Sequence, residues 1–294
     1  MYNVAVIGGG PAGITASIYL KRAGVDVILF EKEEIGGLLL NAHLVENYPG
    51  FPKGISGKKL CKLFEEHLKK LNIRTIFEDV KNIEIEKNCF ILSSQKGDTK
   101  FKTVILATGT IPQIIGIDGE QVLSGKLVFY EIKDLLPKLK PKNIVIVIGS
   151  GDAAFDYSLN LADNDILIEL YYRSKKPKCL ELLEEKVKQC SKIKCHSNLE
   201  PIQLIENQGK PEVTFKSVIT SKVSKMKSDF VLIACGRKPN RDLLKKELKK
   251  NNIPGFYIAG DIKTGRFRQV GIAVGDGIHA AMNVEAYLRG NKYD

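Results

Sequence analysis

The chain has 294 residues, 44% hydrophobic and 27% charged, with a formal net charge of +11 at neutral pH. At about 150 residues per domain this length predicts two domains, and the composition excludes a disordered or fibrous chain. No apolar run reaches the ~18–20 residues of a membrane span, so no membrane partner is expected.

Cysteines stand at 61, 89, 179, 190, 195 and 235. They are sparse and none form C-x-x-C, which argues against a disulfide framework and against zinc-type ligand spacing. An apolar strand follows Met1 almost at once, leaving no room for a secretory leader, and a cytoplasmic protein is expected. Residues 236–294 carry 12 Lys and Arg against 6 Asp and Glu, over half of the excess charge. A basic surface steers acidic partners; no nucleic-acid partner is expected.

In chain order, Val4–Ile7 reads as a buried strand, Gly8–Gly13 as a turn, Ala12–Ala23 as a helix stopping near Gly24, and Val25–Phe30 as a second strand. Lys58–Leu71 has helical apolar spacing. Alternating strands at Ile83, Ile85 and Phe90–Leu92 precede the apolar strand Val104–Ala107. After Ile111-Pro112 the opening pattern returns: strand Ile144–Ile148, a glycine turn, a helix from Asp152 to Leu161 and strand Ile166–Tyr172. Glu181–Gln189 reads as a helix, and strands are expected near 202–205, 212–219 and 230–234. A second Pro-bearing crossing lies at Arg237–Asn240, followed by strand Phe256–Ala259 and a last helix around Ile278–Leu288. The expected fold is α/β, with two Rossmann-like three-layer dinucleotide-binding domains. The second, 112–235, is inserted into the first, 1–111 and 236–294.

The chemistry sits in the two turns. Gly8-x-Gly10-x-x-Gly13 follows a strand and opens a helix containing Pro11 and Ala12. The first glycine allows the tight turn, the second lets a pyrophosphate approach the backbone, and the third lets helix and strand pack closely. The phosphates would then face the N–H groups and positive dipole end of the helix. Glu31 closes the next strand, 23 residues after Gly8, where a carboxylate accepts hydrogen bonds from adenosine ribose hydroxyls. The second turn, Gly149-x-Gly151-x-x-Ala154, includes Asp152 and Ala153. Its following strand ends not in an acid but in Arg173, Lys175, Lys176 and Lys178. Cations there suit a 2′-phosphate, and a guanidinium can bind it in bidentate fashion, so NADPH is expected, with NADH as the alternative.

These motifs resemble the low-molecular-weight thioredoxin-reductase-like flavoproteins over nearly the whole chain. The likeness rests on Gly8–Gly13, Gly36-Gly37 with Glu46-Asn47-Tyr48-Pro49-Gly50, Ala107-Thr108-Gly109, Ala234–Asn240, and Ala259-Gly260-Asp261 with Arg268-Gln269. It implies FAD bound by residues 1–111 and 236–294 and a nicotinamide nucleotide bound by 112–235. In it, Glu31 would take the adenosine ribose, Val80 would lie near the adenine, and Asp261 would hold a ribityl hydroxyl. Gln269 and Val270 would meet the isoalloxazine. A homodimer is implied as well.

Thioredoxin reductases of this class keep a redox C-x-x-C just before the second glycine turn. Here that stretch, 126–134, has no cysteine. The sequence is partly similar to thioredoxin-reductase-type ferredoxin/flavodoxin–NADP reductases. With the basic charge near Lys263, Arg266 and Arg268, this predicts an acidic ferredoxin or flavodoxin as electron acceptor. An NAD(P)H oxidase, a quinone or small-disulfide reductase, and a non-catalytic flavin-binding regulator are the alternatives. His43 and His279 are read as structural histidines rather than proton donors, and no catalytic acid or base is assigned.

Overall fold

The computed structural model describes residues 2–245, 247–248, 253–263 and 267–290. Arg266 lies outside them. Contacts divide the chain into two compact units, 1–40 with 45–111 and 238–294, and 41–44 with 112–237.

The first unit opens with β1 (Tyr2–Ile7), α1 (Pro11–Arg22) and β2 (Val27–Glu31), then α2 (Gly57–Lys70) and strands β3 (Arg74–Phe77), β4 (Asn82–Glu86), β5 (Cys89–Ser94) and β6 (Gly97–Leu106). The chain leaves through β7 (Thr110–Pro112). In the second unit come α3 (Glu120–Leu123), β8 (Val128–Phe129), α4 (Ile132–Leu135), β9 (Ile144–Ile148), α5 (Asp152–Asp163), β10 (Leu167–Tyr171), α6 (Glu181–Gln189) and β11 (Ile193–His196). Strands β12 (Leu199–Asn207), β13 (Lys210–Ser217), β14 (Val223–Lys227) and β15 (Phe230–Ile233) complete it. The return runs through β16 (Arg237–Pro239), which pairs with β7, to β17 (Phe256–Ile258) and α7 (Val270–Arg289).

The first sheet has the order β3-β2-β1-β6-β5-β4, with β17 beside β6. Its β1, β2, β3, β6 and β17 pairings are parallel, while β4-β5-β6 is an antiparallel meander. Val4, Ala5 and Val6 are fully buried because cores form on both faces: α1 and α7 cover one, and Phe30, Phe101 and Leu106 pack on the other. A strand covered on both sides must be a continuous apolar run, and this is why it was legible. The second sheet is parallel, β11-β10-β9-β15-β8, with α5 against one face and the antiparallel β12-β13-β14 sheet contributing to the other. Thus the α/β fold with two dinucleotide-binding sheets is the one expected.

α7 begins eight residues earlier than its sequence pattern suggests. Gly271, Gly275 and Gly277 dilute the helical signal, since glycine costs about 1 kcal/mol in a helix. Tertiary packing requires Gly277: a Cβ there would lie 2.2 Å from the Ala12 carbonyl oxygen, at the close approach of α7 to α1. No helix among the described residues is long and apolar enough to cross a membrane.

Candidate functional site

β1 ends under a turn that only glycine can make. Gly8 has φ +110°, and a Cβ there would sit 2.3 Å from the Ala107 carbonyl oxygen. A Cβ on Gly13 would meet the Gly8 carbonyl oxygen at 1.9 Å, so α1 rides directly on the turn. Gly10 is the N-cap and Pro11 the first helical residue, and no side chain caps this end. A Cβ on Gly10 would meet nothing within 4 Å. The start of the helix dipole therefore faces open space, which suits a diphosphate.

Glu31 is built into the same turn. Its Oε2 accepts from the Gly9 N–H at 2.7 Å and its Oε1 from the Glu33 N–H at 2.9 Å. Each oxygen keeps acceptor capacity for a ribose hydroxyl. Gly36 donates its N–H to the Gly9 carbonyl at 2.8 Å, and a Cβ on Gly37 would lie 3.2 Å from Gly10 Cα. The Gly36-Gly37 pair thus backs onto the first glycine turn. Gly260, at φ +75°, packs on Ala12 and starts the short turn carrying Asp261. Asn47 Nδ2 donates to Gln269 Oε1 at 2.9 Å, fixing the residue that caps α7 just before Val270 and just after the half-buried Arg268.

Not every expected residue offers its side chain here. Val80 is buried in the core with Ile28 and Phe30, so only its backbone can face a ligand. Thr108 Oγ1 donates to the Asn240 carbonyl at 2.9 Å, and the Gly109 carbonyl accepts from the Asn240 N–H at 2.9 Å. These two residues hold the returning chain.

The second turn repeats the construction. Gly149 has φ +155°, and its Cβ would lie 2.4 Å from the Ala234 carbonyl oxygen, as that of Gly8 would from Ala107. Gly151 is the uncapped N-cap of α5, again with open space before it. The buried Ala154 stands where Gly13 stands in the first turn. The loop after β10 is clipped to this turn at two points. Lys178 donates its N–H to the Ser150 carbonyl at 2.6 Å, and Leu180 donates its N–H to Asp152 Oδ1 at 2.8 Å. Arg173 and Lys178 are exposed on that loop, and Asp152 and Ala153 are exposed at the helix start. Glu169, inside β10, is engaged with His196 Nε2 at 2.5 Å.

A buried polar network in the second unit had no sequence signal. Arg237 pairs with Glu131 Oε1, and Asn41 Nδ2 donates to Glu131 Oε2 at 2.9 Å. Asn41 Oδ1 accepts from the Lys133 N–H at 3.0 Å, and Asp156 accepts from the His43 N–H at 2.9 Å. Burial raises the pKa of Glu131, opposed by the Arg237 charge. Burial also raises that of Asp156, opposed by the His43 N–H. Partners 90 and 113 residues apart leave no local pattern to read. His43 Nε2 lies 3.3 Å from Asp163, and His279 Nδ1 3.5 Å from Asn283 Nδ2.

Two uncapped glycine turns, each following a parallel-paired strand, one with an acid and one with cations beyond the next strand, have the construction of dinucleotide-binding domains. The chain belongs to the pyridine nucleotide-disulphide oxidoreductase family, whose model matches residues 2–277. It is 32% identical to a thioredoxin reductase of Mycoplasma genitalium, over 97% of this chain and 94% of that protein. It is 30% identical to a thioredoxin reductase of Bacillus subtilis, over 98% and 95%. The solved thioredoxin reductase of Lactococcus lactis superposes with a TM-score of 0.91 at 26% identity, covering 99% of this chain and all of that one. The protein is an NAD(P)H-dependent flavoprotein oxidoreductase using FAD.

One expectation is overturned. The acceptor read from the sequence was an acidic ferredoxin or flavodoxin, whereas these relatives are named thioredoxin reductases. The charge argument behind it was also weak. Lys263, one of the cations behind it, has its Nζ 3.3 Å from Asp276 Oδ1 and is engaged within the fold.

Proposed function

We propose that the protein takes a hydride from NADPH onto FAD without a redox dithiol of its own, and that thioredoxin is its acceptor. The observation that carries the nucleotide assignment is the repeated construction of the two turns, each with its first glycine backed by an alanine carbonyl and its helix start uncapped. When bound, FAD would supply two-electron chemistry between NADPH and a disulfide.

In this reading the residues divide into two sets. Gly8, Gly10, Pro11, Ala12 and Gly13 cradle the FAD diphosphate, and Glu31 takes the ribose. Gly36, Gly37, Asn47, Ala107, Gly260, Asp261, Arg268, Gln269 and Val270 line the rest of that cofactor. Gly149, Gly151, Asp152 and Ala153 face the NADPH diphosphate, and Arg173 with Lys178 selects its 2′-phosphate. The corresponding domains are 1–111 with 236–294, and 112–235.

The absence of a dithiol is supported by the six cysteines, none spaced C-x-x-C. In the stretch before the second glycine turn, Glu131 and Asp134 stand three apart instead. The name thioredoxin comes to this chain from its relatives. An anaerobic dithionite titration of the FAD-loaded protein tests the first point. Uptake of one two-electron equivalent per FAD is expected, and a second equivalent would reveal a dithiol. NADPH oxidation coupled to loss of the thioredoxin disulfide tests the second. Flavin reduction with no thioredoxin turnover would remove thioredoxin and leave the reductase.

A further inference from the structure

We propose that Asp152 is a positioning residue for NADPH: its carboxylate holds Lys178 where the 2′-phosphate is read and does not itself meet the nucleotide. The inference rests on the assignment of NADPH to the second glycine turn. A carboxylate is an unexpected side chain at this place. Asp152 is the first residue of α5, after the uncapped Gly151, where N–H groups and the positive end of the helix dipole favour an anionic ligand. A fixed negative charge beside that end repels a diphosphate. The contact that the side chain makes is elsewhere. Its Oδ1 accepts from the N–H of Leu180 at 2.8 Å, across 28 residues of sequence, and Leu180 is the N-cap of α6.

The loop that carries the cations is fixed at its two ends by different partners. Arg173 lies between Tyr172 and Ser174, whose carbonyls accept from the N–H groups of Leu199 at 3.2 Å and Asn198 at 3.3 Å. Lys178 lies at the far end, where its own N–H donates to the Ser150 carbonyl at 2.6 Å and Leu180, two residues on, is held by Asp152. Of these last two bonds only the one to Asp152 uses a side chain. Substitution of Asp152 therefore loosens the Lys178 end of the loop, while Arg173 keeps its separate anchors. NADH has no 2′-phosphate for Lys178 to meet and does not depend on this clip.

The rival role for Asp152 is a favourable charge at the start of α5, which would be lost equally in Asp152→Asn and Asp152→Ala. The clip separates them, because the Oδ1 of an asparagine can still accept from Leu180.

Hydrogen exchange in the nucleotide-free protein reads the clip itself. The Lys178 and Leu180 amides should exchange faster in Asp152→Ala, and Asp152→Asn should restore most of their protection. Kinetics of the FAD-loaded protein, with ferricyanide as electron acceptor, read the consequence. Asp152→Ala should raise KM for NADPH about fivefold and leave that for NADH unchanged or lower, and Asp152→Asn should reverse most of the rise. The rise should largely vanish in a Lys178→Ala background and persist in an Arg173→Ala background, since only Lys178 shares the clip. If the unsubstituted protein shows no preference for NADPH over NADH, the nucleotide assignment fails and the proposal with it. If that preference stands, any of four results overturns the positioning role alone: unchanged exchange at Leu180 in Asp152→Ala, an equal rise in KM for both nucleotides, an effect as large in Asp152→Asn, or a full rise without Lys178.

Discussion

The two glycine turns are built alike at the backbone and differ in what surrounds them. In the first, Gly13 is under such compression that its Cβ would lie 1.9 Å from a carbonyl oxygen; in the second, Ala154 occupies that place and is simply buried. The acid closing the first neighbouring strand, Glu31, is fastened to the turn by two backbone N–H groups. Past the end of the other strand, Arg173 is exposed on a loop fastened by its own backbone. The lesson is that the tight turn and uncapped helix start come from glycines packed on alanine carbonyls, which both turns share, while the charged group beside them is a fastened acid in one and exposed cations in the other.

The largest effect that would break this comparison is expected from Gly13→Ala. The methyl group has no space, and overpacking against backbone should cost ~3 kcal/mol. Melting temperature and flavin content should fall together, whereas the mirror change Ala154→Gly should cost less than about 1 kcal/mol. Equal losses in the two variants would remove the distinction between the turns.

Glu31→Ala comes next. Losing a charged acceptor of ribose hydroxyls should cost about 2 kcal/mol, roughly 30-fold in FAD affinity. Reconstitution of apoprotein with FAD measures it, and full-strength binding would show that Glu31 only braces the turn. Arg173→Ala should raise KM for NADPH about tenfold and leave that for NADH nearly unchanged. A parallel rise for both nucleotides would assign Arg173 to the loop rather than to a 2′-phosphate.

The smallest effect concerns pH and sharpens the account of the second sheet. Burial pushes the Asp229 carboxyl up, but its ion pair with Lys210 and the Ile144 N–H outweigh this and hold it below the usual range. A lowered folded pKa means that its stabilisation is full above the unfolded value of about 3.9 and is lost as pH falls through the folded one. Asp229→Asn should therefore cost ~1 kcal/mol near neutral pH and less in acid. A loss of equal size across that range would mean that ionisation of Asp229 contributes nothing.

What the sequence disclosed follows the same division. Strand β9 and helix α6 were legible to the residue, and the opening β1-α1-β2 unit to within about two residues, because buried parallel strands and amphipathic helices carry their burial in their own pattern. Glu31 was legible because its distance from the glycine turn is local. The early start of α7 was hidden by three glycines, of which Gly277 is required by the close approach to α1. The inclusion of 41–44 in the second unit was hidden because it depends on Asn41 meeting Glu131 and Lys133. The acceptor was misread from a partial family resemblance and from the basic charge near Lys263, Arg266 and Arg268, whereas a lysine's position in sequence does not show that Lys263 is paired with Asp276.

The central claim is that one chain holds both nucleotides and passes a hydride between them. Anaerobic mixing of the FAD-loaded protein with a single equivalent of NADPH tests it most directly. Rapid loss of the yellow flavin band, matched by oxidation of the added NADPH, is the predicted result. A flavin that keeps its colour with NADPH and with NADH alike would contradict it.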